Sequence, residues 1–400
     1  MRAGDLPSAI GEMKHAVDLD PKFTRAWIEL GVICVGTQQK TTSLEVFQKA
    51  VAADPKQVLP YKILAFAYAD AKDRAQAIAT WQKLQTLAPD DRDVAPNLGG
   101  LYMAAKRYKE AAALFEAFAK ANPYNAYAQM NLGLALLHSE NSTQGLAALH
   151  KALEIDSGAE MLNNVAYEMA EAGTSLSEAL GYSQRSIKQL EELSQKVDLD
   201  NVQKEDLQRP LSISAYWDTL GWIYFKMGDH PKAESYLDAA WQLRQDGLVG
   251  DHLGQVYEKE QKLTSALHIY SLALEANPRL EETPGRMRKL AHVPLPRTAM
   301  SAGEELSRMR TVKLPKLVNG TASADFYVLI GPGAKVKGTS FIRGAESLRF
   351  AGDDLAKAPF KVPFPLDSTA YLLRKGILSC SSYTGCSFVF YPLGVAAAAN

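Results

Sequence analysis

The spacing of apolar residues divides the chain into a long helical part and a shorter part built of strands. Up to residue 279, apolar residues recur at steps of three and four, as in Trp27, Leu30 and Cys34. That spacing predicts one buried face of a helix. From residue 321 onward, apolar and polar residues alternate over short stretches, which predicts strands.

The helical part has a fixed period of 34 residues. Pro21, Pro55, Pro89 and Pro123 each close a similar phrase, and each lies 34 residues after the one before. A period of that length is typical of a solenoid built from one repeated motif. Counting each proline as position 32, a leucine recurs at position 7, a small residue at positions 8 and 20, and a large apolar residue at position 24. In that order they are Leu30, Leu64, Leu98 and Leu132; Gly31, Ala65, Gly99 and Gly133; Ala9, Ser43, Ala77 and Ala111; and Met13, Phe47, Trp81 and Phe115.

These in-phase residues closely resemble the tetratricopeptide repeat of bacterial proteins. The resemblance spans residues 1–279 and implies about eight helix–turn–helix repeats, stacked into a mostly α, right-handed superhelical solenoid. Small residues at positions 8 and 20 let the two helices of a repeat cross closely, and each proline ends the second helix. Because one repeat cannot bury its apolar face alone, stacking on neighbours supplies the core.

The array departs from its period at two places before it ends at Pro278. The first repeat is truncated at Met1, so we expect missing upstream sequence, a misassigned start, or a partner that covers the exposed helix. Later, a long second helix over 176–196 is followed by a polar stretch, Val197–Arg209. We interpret that stretch as an exposed loop, an insertion between repeats near 197–211.

The residues after the array predict a linker and then a small domain. Residues 280–320 carry charges and prolines and are interpreted as a linker, with a short helical phrase near 302–309. Residues 321–393 show the order ββαββ, an α+β domain, and residues 394–400 form a tail. The predicted elements of the domain are strands at 325–330, 335–342, 371–380 and 386–391, a turn at 331–334 and a helix at 346–358.

The C-terminal domain is similar to that of TonB-type energy transducers. Both have a strand, a turn with glycine, a strand that runs into a helix, and a Phe-x-x-Pro phrase, here Phe360 to Pro363. The resemblance implies a cell-envelope setting and binding by strand addition at an exposed edge of the sheet.

Composition and net charge limit the classes of molecule that this protein is expected to bind. Hydrophobic residues make up 47% of the chain and charged residues 22%, which is ordinary for a folded soluble protein. The net charge of −1 predicts no attraction to nucleic acid or to an anionic membrane. No run of 18 apolar residues predicts a membrane span, and the first residues lack the apolar segment of a signal peptide. We therefore expect a protein or peptide as partner.

Residues that carry catalysis or bind metals are not grouped in this sequence. The seven histidines form no His-Glu-x-x-His motif, and His138, His230 and His252 are expected at helix ends or on the surface. There is no Gly-x-Ser-x-Gly motif. Gly331 and Gly333 are not followed by the Gly-Lys-Ser/Thr sequence of a phosphate-binding loop, so they predict a hairpin turn instead. We expect neither enzymatic activity nor a cofactor or metal site.

Cysteines give a further indication of the cellular compartment. Cys34 lies in a helix pattern and is interpreted as a small core residue. Cys380 and Cys386 fall at facing positions of a predicted hairpin, so they form either a structural disulfide or two neighbouring thiols. A redox pair would usually have Cys-x-x-Cys spacing, and a metal site needs more ligands. A disulfide favours the periplasm or cell envelope, with the cytoplasm as the alternative.

The resemblance to tetratricopeptide repeats also implies a concave groove lined by the first helix of each repeat. Positions 2, 5, 9 and 12 of those helices give the candidate residues, although several could instead pack against adjacent helices. Lys62 sits where some relatives grip a carboxylate, but Phe66 replaces the asparagine of that clamp. The candidates are Arg25, Ile28, Val32, Lys62, Phe66, Met103, Tyr127, Met130, Leu134, Leu137, Trp222 and Phe225.

Two functions follow from these patterns. The first is a non-catalytic scaffold that binds a peptide or partner protein in an apolar, aromatic groove. The alternative is the C-terminal regulatory part of a larger, enzymatic cell-envelope protein, whose catalytic domain lies upstream.

Overall fold

A computed structural model describes residues 6–294 and 300–394 of the chain. The chain divides into two compact parts, an N-terminal unit and a C-terminal unit, with the boundary between Asp156 and Ser157. The truncated start of the first repeat and the tail beyond residue 394 lie outside the described residues.

The described part of the N-terminal unit is helical throughout. First and second helices of successive repeats alternate along the chain, and each second helix before a repeat proline ends two residues before it, as predicted. The helices are α1 (Leu6–Leu19), α2 (Thr24–Gly36), α3 (Lys40–Ala53), α4 (Val58–Asp70), α5 (Arg74–Leu87), α6 (Val94–Ala104), α7 (Tyr108–Ala121), α8 (Ala126–His138) and α9 (Ser142–Ile155).

The turn between the two helices of a repeat has its own 34-residue period. Gln38, Lys72, Lys106 and Glu140 have φ angles of 60°, 60°, 58° and 66°. This left-handed conformation reverses the chain between the helices, but it is strained for any residue with a Cβ atom. The repeat therefore fixes a backbone conformation at a position where the sequence shows no glycine.

Close contact between position 8 and position 24 explains the small residue at position 8. A Cβ atom on Gly31 would lie 2.3 Å from the Phe47 ring, and one on Gly99 would lie 2.3 Å from Phe115. Both rings are 2% exposed. The second helix thus lays its large side chain directly on the backbone of the first, which closes the core of each repeat.

The C-terminal unit begins with further helices. Their core holds the large side chains of Trp217, Trp241 and Tyr270, each at most 1% exposed. The helices are α10 (Ala159–Glu171), α11 (Leu176–Ser194), α12 (Lys204–Met227), α13 (His230–Arg244), α14 (Gly247–Lys259), α15 (Leu263–Ala276), α16 (Thr283–Lys289), α17 (Ala302–Met309) and α18 (Gly352–Ala356).

The polar stretch predicted as a loop over 197–209 is partly helical. Helix α12 begins at Lys204 and continues through Pro210. The Asp206 carboxylate accepts a hydrogen bond from the backbone N–H of Gln203 at 3.0 Å and pairs with Arg209 at 2.6 Å. Capping of the helix start outweighs the polar composition on which the loop prediction rested.

The C-terminal unit also contains an antiparallel sheet. Within residues 300–394 its strands are β1 (Thr311–Leu314), β2 (Ala322–Gly331), β3 (Lys335–Gly344), β4 (Leu372–Ser381) and β5 (Gly385–Phe390), in the spatial order β1-β5-β4-β2-β3. The predicted mostly helical fold with a C-terminal α+β domain is confirmed. The predicted helix over 346–358 is shorter, a single 3₁₀ turn at Glu346–Leu348 followed by α18.

The predicted linker over 280–320 differs most from the structure. The short helix predicted near 302–309 is present as α17, but the segment also contains α16 and the edge strand β1. Strand β1 pairs with β5 from Thr311 opposite Val389 to Leu314 opposite Cys386. Four residues are too few to show a clear alternation, so only the long-range pairing with β5 reveals this strand.

Within the described ranges, no helix is both long enough and apolar enough to cross a membrane.

Candidate binding surfaces

An apolar cavity lies between α2, α3 and α4 of the N-terminal unit. Its volume is about 390 Å³. We call it the N-terminal cavity. Its apolar lining residues are Val32, Val35, Leu44, Phe47, Ile63, Phe66, Ala67 and Ala71, and its polar ones are Gln38, Lys40, Ser43 and Asp70.

Three large apolar side chains of this cavity are open to solvent. Val32 is 55% exposed, Val35 54% and Phe66 50%. They occupy positions 9 and 12 of their first helices, where the sequence predicts the groove. Phe66 lies edge-on against the buried ring of Trp81, with ring centroids 5.4 Å apart, so its orientation is fixed although half its surface is exposed. A rigid aromatic side chain held at a cavity is suited to act as an anchor for a partner.

The rim of the N-terminal cavity carries a pair of opposite charges. The Nζ atom of Lys40 lies 2.7 Å from a carboxylate oxygen of Asp70, and both side chains are mostly exposed. The pair neutralises the rim, so electrostatics do not favour a strongly charged ligand.

Other candidate residues of the N-terminal unit differ in their exposure. Arg25 is exposed and pairs with Glu29 at 2.8 Å. Tyr127 is 46% exposed. Ile28, Met103 and Met130 are half-buried.

Leu134 and Leu137 are only 9% and 8% exposed, contrary to the prediction that they line the groove. Leu137 lies so close to Gly145 that a Cβ atom there would be 2.9 Å from it. Both leucines therefore pack within the fold.

Lys62 is engaged inside the protein. Its Nζ atom lies 2.8 Å from Asp91 and 2.6 Å from Asp93, and its side chain is 19% exposed. Hydrogen bonds to Asp91 and Asp93 raise the pKa of Lys62. Its positive charge is already matched by two carboxylates, which argues against a role in gripping a ligand carboxylate.

Trp222 and Phe225, the candidates in the C-terminal unit, belong to an aromatic and polar cluster. Trp222 is 5% exposed, so it packs within the fold rather than lining an open groove. It stacks on His252 with ring centroids 4.1 Å apart and on Phe225 at 4.9 Å, and its indole N–H donates to Glu171. A cavity of about 400 Å³ adjoins these side chains.

A buried pair of Asp218 and His252 lies beneath Trp222. The Nδ1 atom of His252 is 2.9 Å from an Asp218 oxygen. Burial lowers the pKa of His252, whereas Asp218, together with the charges of Asp251 and Glu171, raises it, so the net shift of this pKa is upward. His252 is 4% exposed, so the prediction that it lies at the surface is wrong. The repeat pattern did not reveal this pair, because Asp218 and His252 fall at different positions, 5 and 6, of consecutive repeats when Gly221 and Gly254 are counted as position 8.

The remaining charges of this cluster pair with each other. Asp251 accepts hydrogen bonds from Thr283 at 2.6 Å and Gln255 at 3.0 Å, and lies 3.4 Å from Arg286. Asp218 of α12 contacts His252 of α14, and Asp251 of α14 contacts Thr283 and Arg286 of α16. These polar contacts inside the protein therefore hold the three helices together.

Comparison with models of known protein families tests the repeats predicted from the sequence. Models of the tetratricopeptide repeat match residues 1–58, 64–126, 97–160 and 214–246. Residues 1–58, 64–160 and 214–246 therefore form tetratricopeptide repeats. The match covers the helices of the N-terminal unit except residues 59–63 of α4 and, in the C-terminal unit, most of α12 together with α13. Such arrays are typically non-catalytic scaffolds for protein–protein interaction.

Similarity to a solved structure supports this fold. A tetratricopeptide repeat protein from Parabacteroides merdae ATCC 43184 is similar to this chain with a TM-score of 0.54 at 13% identity, over 67% of this chain and 98% of that protein. Yeast Tom70 has a TM-score of 0.48 at 16% identity, over 72% and 58% of the respective chains. YrrB, described as having an unusual peptide-binding site, has a TM-score of 0.37 at 16% identity, over 44% and 91%. No curated protein matches the chain.

Proposed function

We propose that this tetratricopeptide repeat protein is a non-catalytic scaffold that binds a partner protein through the N-terminal cavity. The observation that carries the proposal is the exposure of Val32, Val35 and Phe66 around one apolar cavity. Covering apolar surface contributes about 25 cal/mol per Å². A partner that fills this cavity would bury side chains that the chain itself leaves half in water.

The chemistry of the lining favours an apolar ligand segment. The residues facing the cavity are mostly aliphatic and aromatic, and the Lys40–Asp70 pair at the rim is neutral overall. An amphipathic helix or an extended segment with apolar side chains fits this surface. Phe66 serves as the central anchor.

The proposal is tested by replacing two exposed apolar residues of the cavity, Val32→Ser with Phe66→Ser. Removing an anchor typically costs 2 kcal/mol or more, so partner recovery by the tagged chain should fall at least about tenfold. The matched control is Leu19→Ser with Tyr124→Ser, because these side chains are 73% and 89% exposed and do not line the cavity. Quantitative mass spectrometry of co-purified proteins measures recovery. Equal recovery by the cavity variant and the control would contradict the proposal.

The alternative role, as the regulatory part of a larger enzyme, stays a prediction. An in-frame catalytic domain in the genomic sequence upstream of Met1 would support it.

A further inference from the structure

A cavity in the C-terminal unit has only cations among its charged lining residues. It lies where the end of α17 and the strands β1, β4 and β5 meet residues 359–362, and its volume is about 420 Å³. Among the described residues that line it there is no carboxylate. The charged residues are Arg308, Arg310, Lys313, Lys361 and Arg374, and the others are Gln242, Met309, Thr311, Val312, Pro359, Val362 and Phe390.

Arg374 forms the buried wall of this basic cavity. It is 3% exposed, and its guanidinium lies 4.8 Å from the centroid of the Phe390 ring. Two of its nitrogens donate long hydrogen bonds to backbone carbonyls, at 3.4 Å to Leu243 and 3.2 Å to Tyr391. Its Nε atom has no hydrogen-bond partner within the described part of the chain. A buried guanidinium is normally paired with an anion, because desolvation of an unpaired charge is costly.

Arg310 adds a second charge of the same sign. It is half-buried, and its Nε atom also finds no partner among residues 6–294 and 300–394. Burial lowers the pKa of Arg374 to about 10, and the charge of Arg310 lowers it too. Arg374 is therefore still charged at pH 7, and the like charge of Arg310 destabilises it unless an anion lies between them.

We propose that this basic cavity binds a phosphate or carboxylate group on a small, partly apolar ligand. The planar guanidinium donors of Arg310 and Arg374 match the oxygens of either group. The exposed cations Arg308, Lys313 and Lys361 attract an anion toward the opening.

The apolar lining of the cavity indicates that the anionic group of the ligand is attached to a carbon skeleton. Met309, Val362 and Phe390 line it beside the arginines. They offer contact to a carbon skeleton, which inorganic phosphate alone would leave unused.

Calorimetric titration of the full chain at constant ionic strength tests the site, with inorganic phosphate and malonate as separate probes. Saturable binding of at least one probe with one site per chain is expected, and the tighter probe identifies the anionic group. Arg310→Gln should weaken that binding at least about tenfold, because hydrogen bonds to charged groups are strong. The matched control, Arg185→Gln, removes an exposed arginine of the same unit that does not line the cavity and should leave affinity unchanged.

Thermal unfolding separates a binding role from a purely structural one. Without anion, Arg310→Gln should melt at the same or a higher temperature than the wild type, because a repulsive charge is removed. The anion-dependent rise in melting temperature should be lost in this variant. Absence of saturable binding of both probes, equal affinity in Arg310→Gln, or a lower melting temperature of that variant without anion would overturn the proposal.

Discussion

At the scale of single residues, the repeat is a set of contacts that recur every 34 positions. A glycine at position 8 receives the ring of position 24, as Gly31 receives Phe47. The left-handed residue in each turn recurs with the same period, although its identity changes from Gln38 to Lys72. The contact between positions 8 and 24 is visible in the sequence, because only small residues fit at position 8. The left-handed turn is not visible in the sequence, because several residue types tolerate its strain.

That strain predicts a stabilising substitution. Lys72 has a φ of 60° and is exposed, so Lys72→Gly should raise the free energy of unfolding by about 0.5–1 kcal/mol. Lys83 is an equally exposed lysine inside α5, where glycine should cost about 1 kcal/mol. Denaturant unfolding of the two variants compares the same chemical change in two backbone conformations. A loss of stability in Lys72→Gly as large as in Lys83→Gly would refute the explanation.

Residue periodicity predicted the candidate site only in part. It identified Val32 and Phe66, whose side chains are half-exposed at the N-terminal cavity. It also selected Leu134 and Trp222, which are buried. Periodicity gives the face of a helix, but how far a neighbouring helix covers that face depends on packing between distant segments. Arg310, which follows the end of α17, and Arg374 of β4 line one cavity, and no local sequence pattern brings them together.

At the scale of elements, strongly periodic helices were predictable and short or capped elements were not. The ends of α3, α5 and α7 follow from prolines. The early start of α12 depends on the side chain of Asp206, and β1 exists because β5 offers it an edge. Local composition predicted a loop at the start of α12 and a linker at β1, because neither signal is visible in the composition of a short segment.

The hairpin of β4 and β5 predicts a specific thiol count. Cys380 and Cys386 face each other across it and are joined by a disulfide, while Cys34 is a buried free thiol. Protein isolated without reductant and then unfolded should show one reactive thiol per chain, and three after reduction. A Cys34→Ser variant should show none and then two. Three reactive thiols before reduction would rule out the bond. Closing this short loop is expected to stabilise the hairpin by about 2 kcal/mol.

At the scale of the whole molecule, a tetratricopeptide repeat array and a small sheet domain share one chain. The array and the N-terminal cavity support a role in binding a partner protein. The likeness of the sheet domain to that of TonB-type transducers and a cell-envelope location stay predictions. The disulfide between Cys380 and Cys386 supports the prediction of an oxidising compartment.

Site-specific photo-crosslinking in the producing cells tests the central claim most directly. A photoreactive phenylalanine analogue at position 66 sits in the N-terminal cavity, and the same analogue at position 124 sits on an exposed turn outside it. We expect a discrete crosslinked adduct with a partner protein from position 66 and none from position 124. No adduct from position 66, or the same adducts from both positions, would contradict binding through this cavity.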